Sequence, residues 1–364
     1  MPHVAVWIDE ESNLAPQTVE EGSYHPGESE ILVKVIYSSI NPADLKHAVF
    51  SKGSRNTICG YEFSGIVEET GAGSKFKVGD KVFGTTPVDY TGKGRKPEWG
   101  GYQSRLVCPD VLAAHVPDSL PLSHAAGISL IARTMGDAMF NLFKFPFPPE
   151  DRPHAIGTPF LIWGGSSALG HMTIWVAKLL GLHPILTTAS PHNAGRLKGA
   201  GATEVFDYHS DTVTADIRAY MDQYFDGRPI MQAFDAVSIP KPRHTVELVE
   251  DCCAPDAIIL SAGRHPRHDG PFGEREYDWP ILLPDGTLQV VRHKSDEGAA
   301  MQRRVVDWAA ANYGWLWKLP PLKIVKGAQA GIEESKRVAF RGAGFEKVVV
   351  EHENAMKSLK ANGW

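Results

Sequence analysis

Cysteine is scarce: four in 364 residues, at positions 59, 108, 252 and 253. None belongs to a Cys-x-x-Cys pair, which argues against a tetrathiolate zinc site and against a disulfide framework. Buried thiols in a reducing compartment are expected instead. A basic surplus is missing too. The net charge of −6 argues against a general nucleic-acid or anionic-membrane binder, since both need a basic face. Long apolar runs are absent: the best, 125–143, is broken by Arg133 and Asp137, so no membrane span is expected. The N-terminus turns acidic at Asp9–Glu10, too early for a signal peptide. A soluble, cytoplasmic protein is expected. Neither G-x-S-x-G nor H-E-x-x-H occurs, so hydrolase and zincin readings lack support.

What is present suits a core. Hydrophobic residues make up 43% and charged ones 22%, ordinary globular values, and the length suggests about two domains. Short β-branched or apolar runs at 31–37, 65–68 and 81–84 are punctuated by glycine turns. Strands so short and so evenly spaced predict a small antiparallel barrel or sandwich over the first ~120 residues. Helical spacing then runs from His124 to Phe143. Beyond it, strands at 160–163, 184–189, 204–206, 230–235 and 257–260 alternate with helices at 171–180, 193–199 and 212–225. That alternation predicts right-handed βαβ units and a parallel sheet, so the fold class is α/β. The polar stretch 263–286 reads as a long loop. Strands at 323–325 and 346–350, with a helix at 331–340 between them, end the pattern.

The turn Gly164-Gly165-Ser166-Ser167-Ala168-Leu169-Gly170 follows the strand 160–163. Strand, small-residue turn and helix together make a phosphate site, because the first amides of a helix are free donors with partial positive charge. The strict dinucleotide fingerprint is not met, since Ser167 stands at its middle glycine. At the end of the next strand an NAD site places an acid. Here Ser190-Pro191-His192-Asn193 stands, with Arg196 beyond. Hydroxyl, imidazole and guanidinium suit a 2′-phosphate, which favours NADPH. A role for Ser190 as a helix cap is compatible with this.

Four motifs in order, Asn41-Pro42-Ala43-Asp44, Gly60-Tyr61-Glu62-Phe63, Val78-Gly79-Asp80-Lys81 and Gly100-Gly101-Tyr102, resemble the medium-chain dehydrogenase/reductase superfamily. The resemblance covers nearly the whole chain. It implies a GroES-like β-barrel catalytic domain from 1–123 and 301–364, and a Rossmann nucleotide-binding domain from 124–300. Zinc alcohol dehydrogenases of that superfamily have a ligand Cys where Asn41 stands and a His where Tyr61 stands, and 85–99 contains no Cys. Asn41 and Tyr61 are not normal zinc ligands, so no metal is assigned. The chain resembles the zinc-free branch. Within it, Gly127-Ile128-Ser129, Ser190-Pro191-His192-Asn193, Val205-Phe206-Asp207-Tyr208 and Asp278-Trp279 are similar to fungal trans-acting enoyl reductases. Those are separate proteins that supply the enoyl-reducing step to a polyketide synthase.

The resemblance implies that Ala43, Asp44, Leu45, Lys46, Ser166, Ser167, Ala168, Leu169, Ser190, Pro191, His192, Asn193, Arg196, Tyr208, Gly344 and Phe345 touch NADPH. It implies that Gly127, Ile128, Ser129, Leu130, Ile131, Ala132, Arg133 and Thr134 line an acyl tunnel, with 280–284 covering the substrate. The expected substrate is the α,β-unsaturated thioester of a polyketide intermediate tethered to an acyl carrier. Lys46 is the candidate catalytic side chain, as oxyanion stabiliser or ribose contact, with Asp44 setting its charge state. An ordinary surface salt bridge is the competing reading. Tyr61 is either a phenolic donor or a packed aromatic, and His171 reads as a solvated residue opening the cofactor helix. Two other functions stay open: a quinone or small-enone reductase, and a non-reducing binding or cyclisation protein on the same fold.

Overall fold

The computed structural model describes residues 3–20, 22, 24–50, 52–147, 157–240 and 242–352. Two compact units emerge: 1–130 with 274–311 and 321–364, and 131–273 with 312–320.

The chain opens with β1 (His3–Ile8), β2 (Leu14–Val19), β3 (Glu30–Ser39) and helix α1 (Pro42–Phe50). Next come β4 (Thr57–Ile58), β5 (Glu62–Thr70), β6 (Lys81–Thr85), β7 (Arg105–Pro109) and β8 (Ala113–His115). The short α2 (Leu122–Ala125) precedes α3 (Ser129–Gly136), which widens into a π-helical stretch at Asp137–Leu142. The second unit then alternates β9 (Phe160–Trp163), α4 (Ala168–Leu180), β10 (Ile185–Thr188), α5 (Ala194–Ala200), β11 (Glu204–Phe206), α6 (Val213–Tyr224), β12 (Gln232–Asp235), α7 (Thr245–Cys252) and β13 (Ile258–Ser261). The chain returns to the first unit with β14 (Trp279–Leu282), β15 (Leu288–Val291), α8 (Asp296–Ala311), β16 (Leu322–Lys326), α9 (Gly327–Arg341) and β17 (Lys347–Glu351).

In the first unit β3 is the spine. One edge pairs with β5 along nearly its whole length, and the other is shared by β7 at 30–34 and β17 at 37–39. Two register shifts bend β3 against β5, as bulges do. The order is β16-β17-β3-β5-β6-β8, so strands from both ends of the chain build one sheet. Ile31, Val33, Val35, Phe63 and Val67 point into one buried cluster, the period of two that a half-buried strand requires. A second cluster gathers Leu45 and Ala48 of α1 with Ile332 and Val338 of α9 and Val348 and Val350 of β17.

The second unit is a parallel sheet of order β11-β10-β9-β12-β13. Chain order reverses at β9, so the carboxyl ends of β9, β10 and β11 share one edge. That is where ligands bind in open α/β sheets.

The structure departs from the sequence reading in three places. The predicted helix 124–143 stops at Ala125 and restarts at Ser129. Gly127 lies in the interruption, where glycine lowers helix stability. The predicted loop 263–286, including the expected cover 280–284, contains β14, which forms a hairpin with β15. Pro280 hid the strand, because proline cannot donate to a ladder and is tolerated only at an edge. The expected domain borders were 123/124 and 300/301, whereas the compact units divide at 130/131 and 273/274. The hairpin explains the shift: Tyr277 stacks on Tyr90 at 4.2 Å and Trp279 lies 4.9 Å from His47, both partners being in the first unit. Of the expected domains, residues 148–156 and 353–364 lie outside the described residues. No helix among the described residues is long and apolar enough to cross a membrane.

Candidate active site

The motif Asn41-Pro42-Ala43-Asp44 is a helix start. Pro42 is the first residue of α1, where a missing N–H costs nothing and a fixed φ helps. Asp44 Oδ2 reaches back to accept from the Asn41 N–H at 2.6 Å, as the third helical residue does in a capping box. The same oxygen accepts from the Tyr102 hydroxyl at 2.5 Å. Asp44 is 1% exposed. Burial pushes its carboxyl up to about 6, against the pull of Tyr102, the Asn41 amide and Lys347.

This placement corrects the expected partnership of Asp44 with Lys46. Asp44 and Leu45 turn into the core, while Ala43 and Lys46 stay half-buried on the other face. Lys46 has no hydrogen-bond or ion-pair partner among the described residues, so the salt-bridge reading finds no acid. Its ammonium is held below the usual lysine range by burial alone. The next residue, His47, was not singled out from sequence. Its Nδ1 lies 3.2 Å from the Tyr61 hydroxyl, and its ring packs against Trp279. Tyr61 is 4% exposed, and the Arg95 guanidinium sits 4.3 Å over its ring. Burial pushes the phenol up to about 12. Tyr61 is therefore a packed aromatic whose hydroxyl faces His47.

Beneath α1 lies a buried polar cluster that joins remote segments. Asn41 Nδ2 donates to Glu62 Oε2 at 2.9 Å. Lys347 Nζ donates to Asn41 Oδ1 at 2.7 Å and to Glu62 Oε2 at 3.3 Å. Glu62 Oε1 accepts from the Leu130 N–H at 2.8 Å. Glu62 is 0% and Lys347 3% exposed. Charges removed from water this completely persist only when paired and hydrogen-bonded. The cluster gathers the starts of α1, β5 and β17 with residue 130, where α3 begins. Asn41, Glu62, Leu130 and Lys347, each in or beside a candidate segment of the sequence, thus meet within the first unit. Neither Glu62 nor Lys347 was assigned a role from sequence. Glu62 stood inside a quoted motif, whereas Lys347 reads as the polar residue of an ordinary strand.

Of the expected acyl segment, residues 127–129 and 131–133 are buried, and Leu130 and Thr134 are half-buried. Gly344 is exposed with φ +67°, and Phe345 is half-buried.

In the second unit the glycine turn is built for close approach. Gly164 has φ +86°, left-handed backbone that favours glycine. A Cβ on Gly170 would lie 2.4 Å from the Gly164 carbonyl oxygen. The Ser167 hydroxyl caps α4: it accepts from the Gly170 N–H at 2.9 Å and donates to Gly164 O at 2.8 Å. It is therefore occupied within the turn. The N–H groups of Ser166, Ala168 and Leu169 have no acceptor among the described residues. Those three donors at the head of a 13-residue helix fit a pyrophosphate.

Ser190, Pro191, His192, Asn193 and Arg196 follow β10 at the same sheet edge. Pro191, His192 and Arg196 are exposed, and Asn193 is buried with Oδ1 unpartnered among the described residues. Ser190 makes no side-chain cap bond. Tyr208, two residues past β11, is 44% exposed and stacks on His209. His171 is not the solvated residue expected. Helix α4 begins at Ala168, His171 is 5% exposed, and its Nε2 accepts from Trp175 Nε1 at 3.2 Å. Burial lowers the imidazole to about 4. No group of three or more His, Cys, Asp and Glu among the described residues could hold a metal ion.

A sheet built from strands near both ends of the sequence, with a five-stranded parallel sheet between them in chain order, is the fold of the medium-chain dehydrogenases/reductases. Residues 27–118 match the family described as "Alcohol dehydrogenase GroES-like domain". An alcohol dehydrogenase superfamily protein from Novosphingobium aromaticivorans shares the fold at TM-score 0.71 and 18% identity, over 96% of this chain and 99% of that one. The trans-enoyl reductase resD of Aspergillus sclerotiorum is 30% identical over 307 residues, 76% of this chain and 84% of its own. The trans-enoyl reductase himH of Aspergillus japonicus is 28% identical over 325 residues, 88% of this chain and 89% of its own. The chain belongs to the fungal trans-enoyl reductases and is an oxidoreductase.

Proposed function

We propose that the protein is an NADPH-dependent, zinc-independent enoyl reductase acting on the α,β-unsaturated thioester of a carrier-bound polyketide intermediate. When bound, the reduced nicotinamide supplies a hydride to the β-carbon of such a substrate. An acid or water must then protonate the α-carbon of the resulting enolate, and the chain's own residues bind and orient the reactants. In the second unit, the free amides of Ser166, Ala168 and Leu169 would hold the pyrophosphate. Ser190, His192 and Arg196 would take the 2′-phosphate. Lys46 of the first unit would donate to the thioester oxygen as negative charge develops there, and residues 127–134 would receive the acyl chain.

The observation that carries this reading is Lys46. A half-buried ammonium without an acidic partner among the described residues is a donor held ready for a negative charge that arises elsewhere. Its helix is anchored at the start by Asp44 and Asn41, so the donor is pre-positioned.

The test is steady-state reduction of a panel of enoyl-pantetheines by wild type and Lys46→Met, with NADPH and with NADH. NADPH-dependent turnover of enoyl thioesters, falling at least tenfold in kcat in Lys46→Met with the NADPH Kd within threefold, supports the reading. Faster turnover on free quinones than on any enoyl thioester, or product formation undiminished without NADPH, overturns it.

A further inference from the structure

We propose that Glu62 and Lys347 are positioning residues for the acyl substrate. Together they fix the start of α3, and thereby the segment that receives the acyl chain. The inference rests on the function proposed above for residues 127–134.

Glu62 is bound at both oxygens. Oε2 is taken by Asn41 Nδ2 at 2.9 Å and Lys347 Nζ at 3.3 Å, and Oε1 by the Leu130 N–H at 2.8 Å. Only the last bond leaves the cluster for the acyl segment. It supplies a carboxylate acceptor to one of the first N–H groups of α3, a place where negative charge is favourable. Asn41 Oδ1 and Glu62 Oε2 are Lys347's two acceptors in the cluster. Without the ammonium, the carboxylate would be a buried charge held only by neutral donors. It would be drawn toward water, and its hold on Leu130 would weaken. Leu130 is half-buried between the buried Ser129 and Ile131, so its backbone governs how that stretch presents itself to a ligand.

A purely structural role would lower overall stability without favouring one kinetic constant. A positioning role separates them. Lys347→Met should raise KM for the enoyl thioester at least tenfold, with kcat within threefold and the NADPH Kd within twofold. Amide hydrogen exchange over 127–134 should speed up at least tenfold, while β9 to β13 keep their protection. The double variant Glu62→Gln/Lys347→Met supplies the rescue. With both charges gone, the uncharged amide side chain at position 62 can still accept from Leu130, and a flipped Asn41 amide can pair with it. KM and exchange should return to within threefold of wild type. If Lys347→Met does not fold, Glu62→Asp keeps the ion pair, withdraws the acceptor from Leu130, and should show the same KM and exchange changes.

Unchanged exchange over 127–134 in both single variants overturns the proposal. So does a parallel rise of KM and NADPH Kd, or a double variant no better than Lys347→Met. If wild type reduces no enoyl thioester, the proposed function fails on its own. The exchange measurement still decides whether Glu62 and Lys347 fix residue 130.

Discussion

Lys347 Nζ lies 2.7 Å from Asn41 Oδ1, although 306 positions separate them in sequence. The amide that takes this ammonium on its oxygen also gives its N–H to Glu62. Asn41 therefore does two tasks: its backbone opens α1, and its side chain links a buried anion to a buried cation. An Asp at this position could not donate to Glu62 and would add a third buried carboxylate beside Glu62 and Asp44.

Asp44 makes stability depend on pH. Its carboxyl titrates at about 6 in the folded protein, against 3.8 ordinarily. Between those values the folded state keeps a proton that the unfolded chain has lost, so this residue's contribution to stability falls as pH rises from about 4 to about 6. A shift of about two units corresponds to about 3 kcal/mol. Asp44→Asn should remove that slope. Urea unfolding at pH 4 and pH 7 should show the variant gaining on wild type by about this amount. Equal differences at both pH values would refute it.

His171 acts in the opposite direction. Its imidazole stays neutral in the fold down to about 4, whereas the unfolded chain protonates near 6.5. Its contribution is intact above 6.5 and is lost as pH falls toward 4. His171→Gln keeps an acceptor for Trp175 Nε1 and cannot titrate. Acid unfolding of the variant, followed by tryptophan fluorescence, should lie at lower pH than that of wild type.

Gly170→Ala drives a methyl to within 2.4 Å of a backbone oxygen in the glycine turn. Neither partner is a flexible side-chain end, so the turn must shift. The expected cost is about 1–3 kcal/mol of stability, with a rise of at least tenfold in the NADPH Kd by fluorescence titration. An unchanged Kd would mean that the turn does not hold the pyrophosphate.

Arg196 is the guanidinium nearest in sequence to the Ser190–Asn193 turn. Arg196→Ala should weaken NADPH about tenfold, equivalent to ~1.4 kcal/mol, and leave NADH within twofold. Loss of both alike would place Arg196 in structural support and not at the 2′-phosphate.

The sequence was most informative where pattern and chemistry coincide locally. Strands 160–163 and 204–206, the glycine turn and helix 212–225 were legible because the period and its punctuation lie within a few residues. The buried cluster was not. Its members come from positions 41, 62, 130 and 347, and no local pattern says that Lys347, at the head of a Val-rich strand, faces a carboxylate. The capping role of Asp44 was readable from Asn41-Pro42-Ala43-Asp44. It was overlooked because the acid two residues before Lys46 invited a pairing that helix geometry opposes, since residues two apart do not share a face. The β14–β15 hairpin was concealed by Pro280, and with it the border of the first unit.

The countercharge of Glu62 lies 285 positions further along the chain. During synthesis the ribosome delivers the carboxylate long before the ammonium. The inserted unit, continuous from 131 to 273 apart from a short return at 312–320, has its strands available long before. The second unit can therefore fold on the emerging chain, while the first must wait for β17.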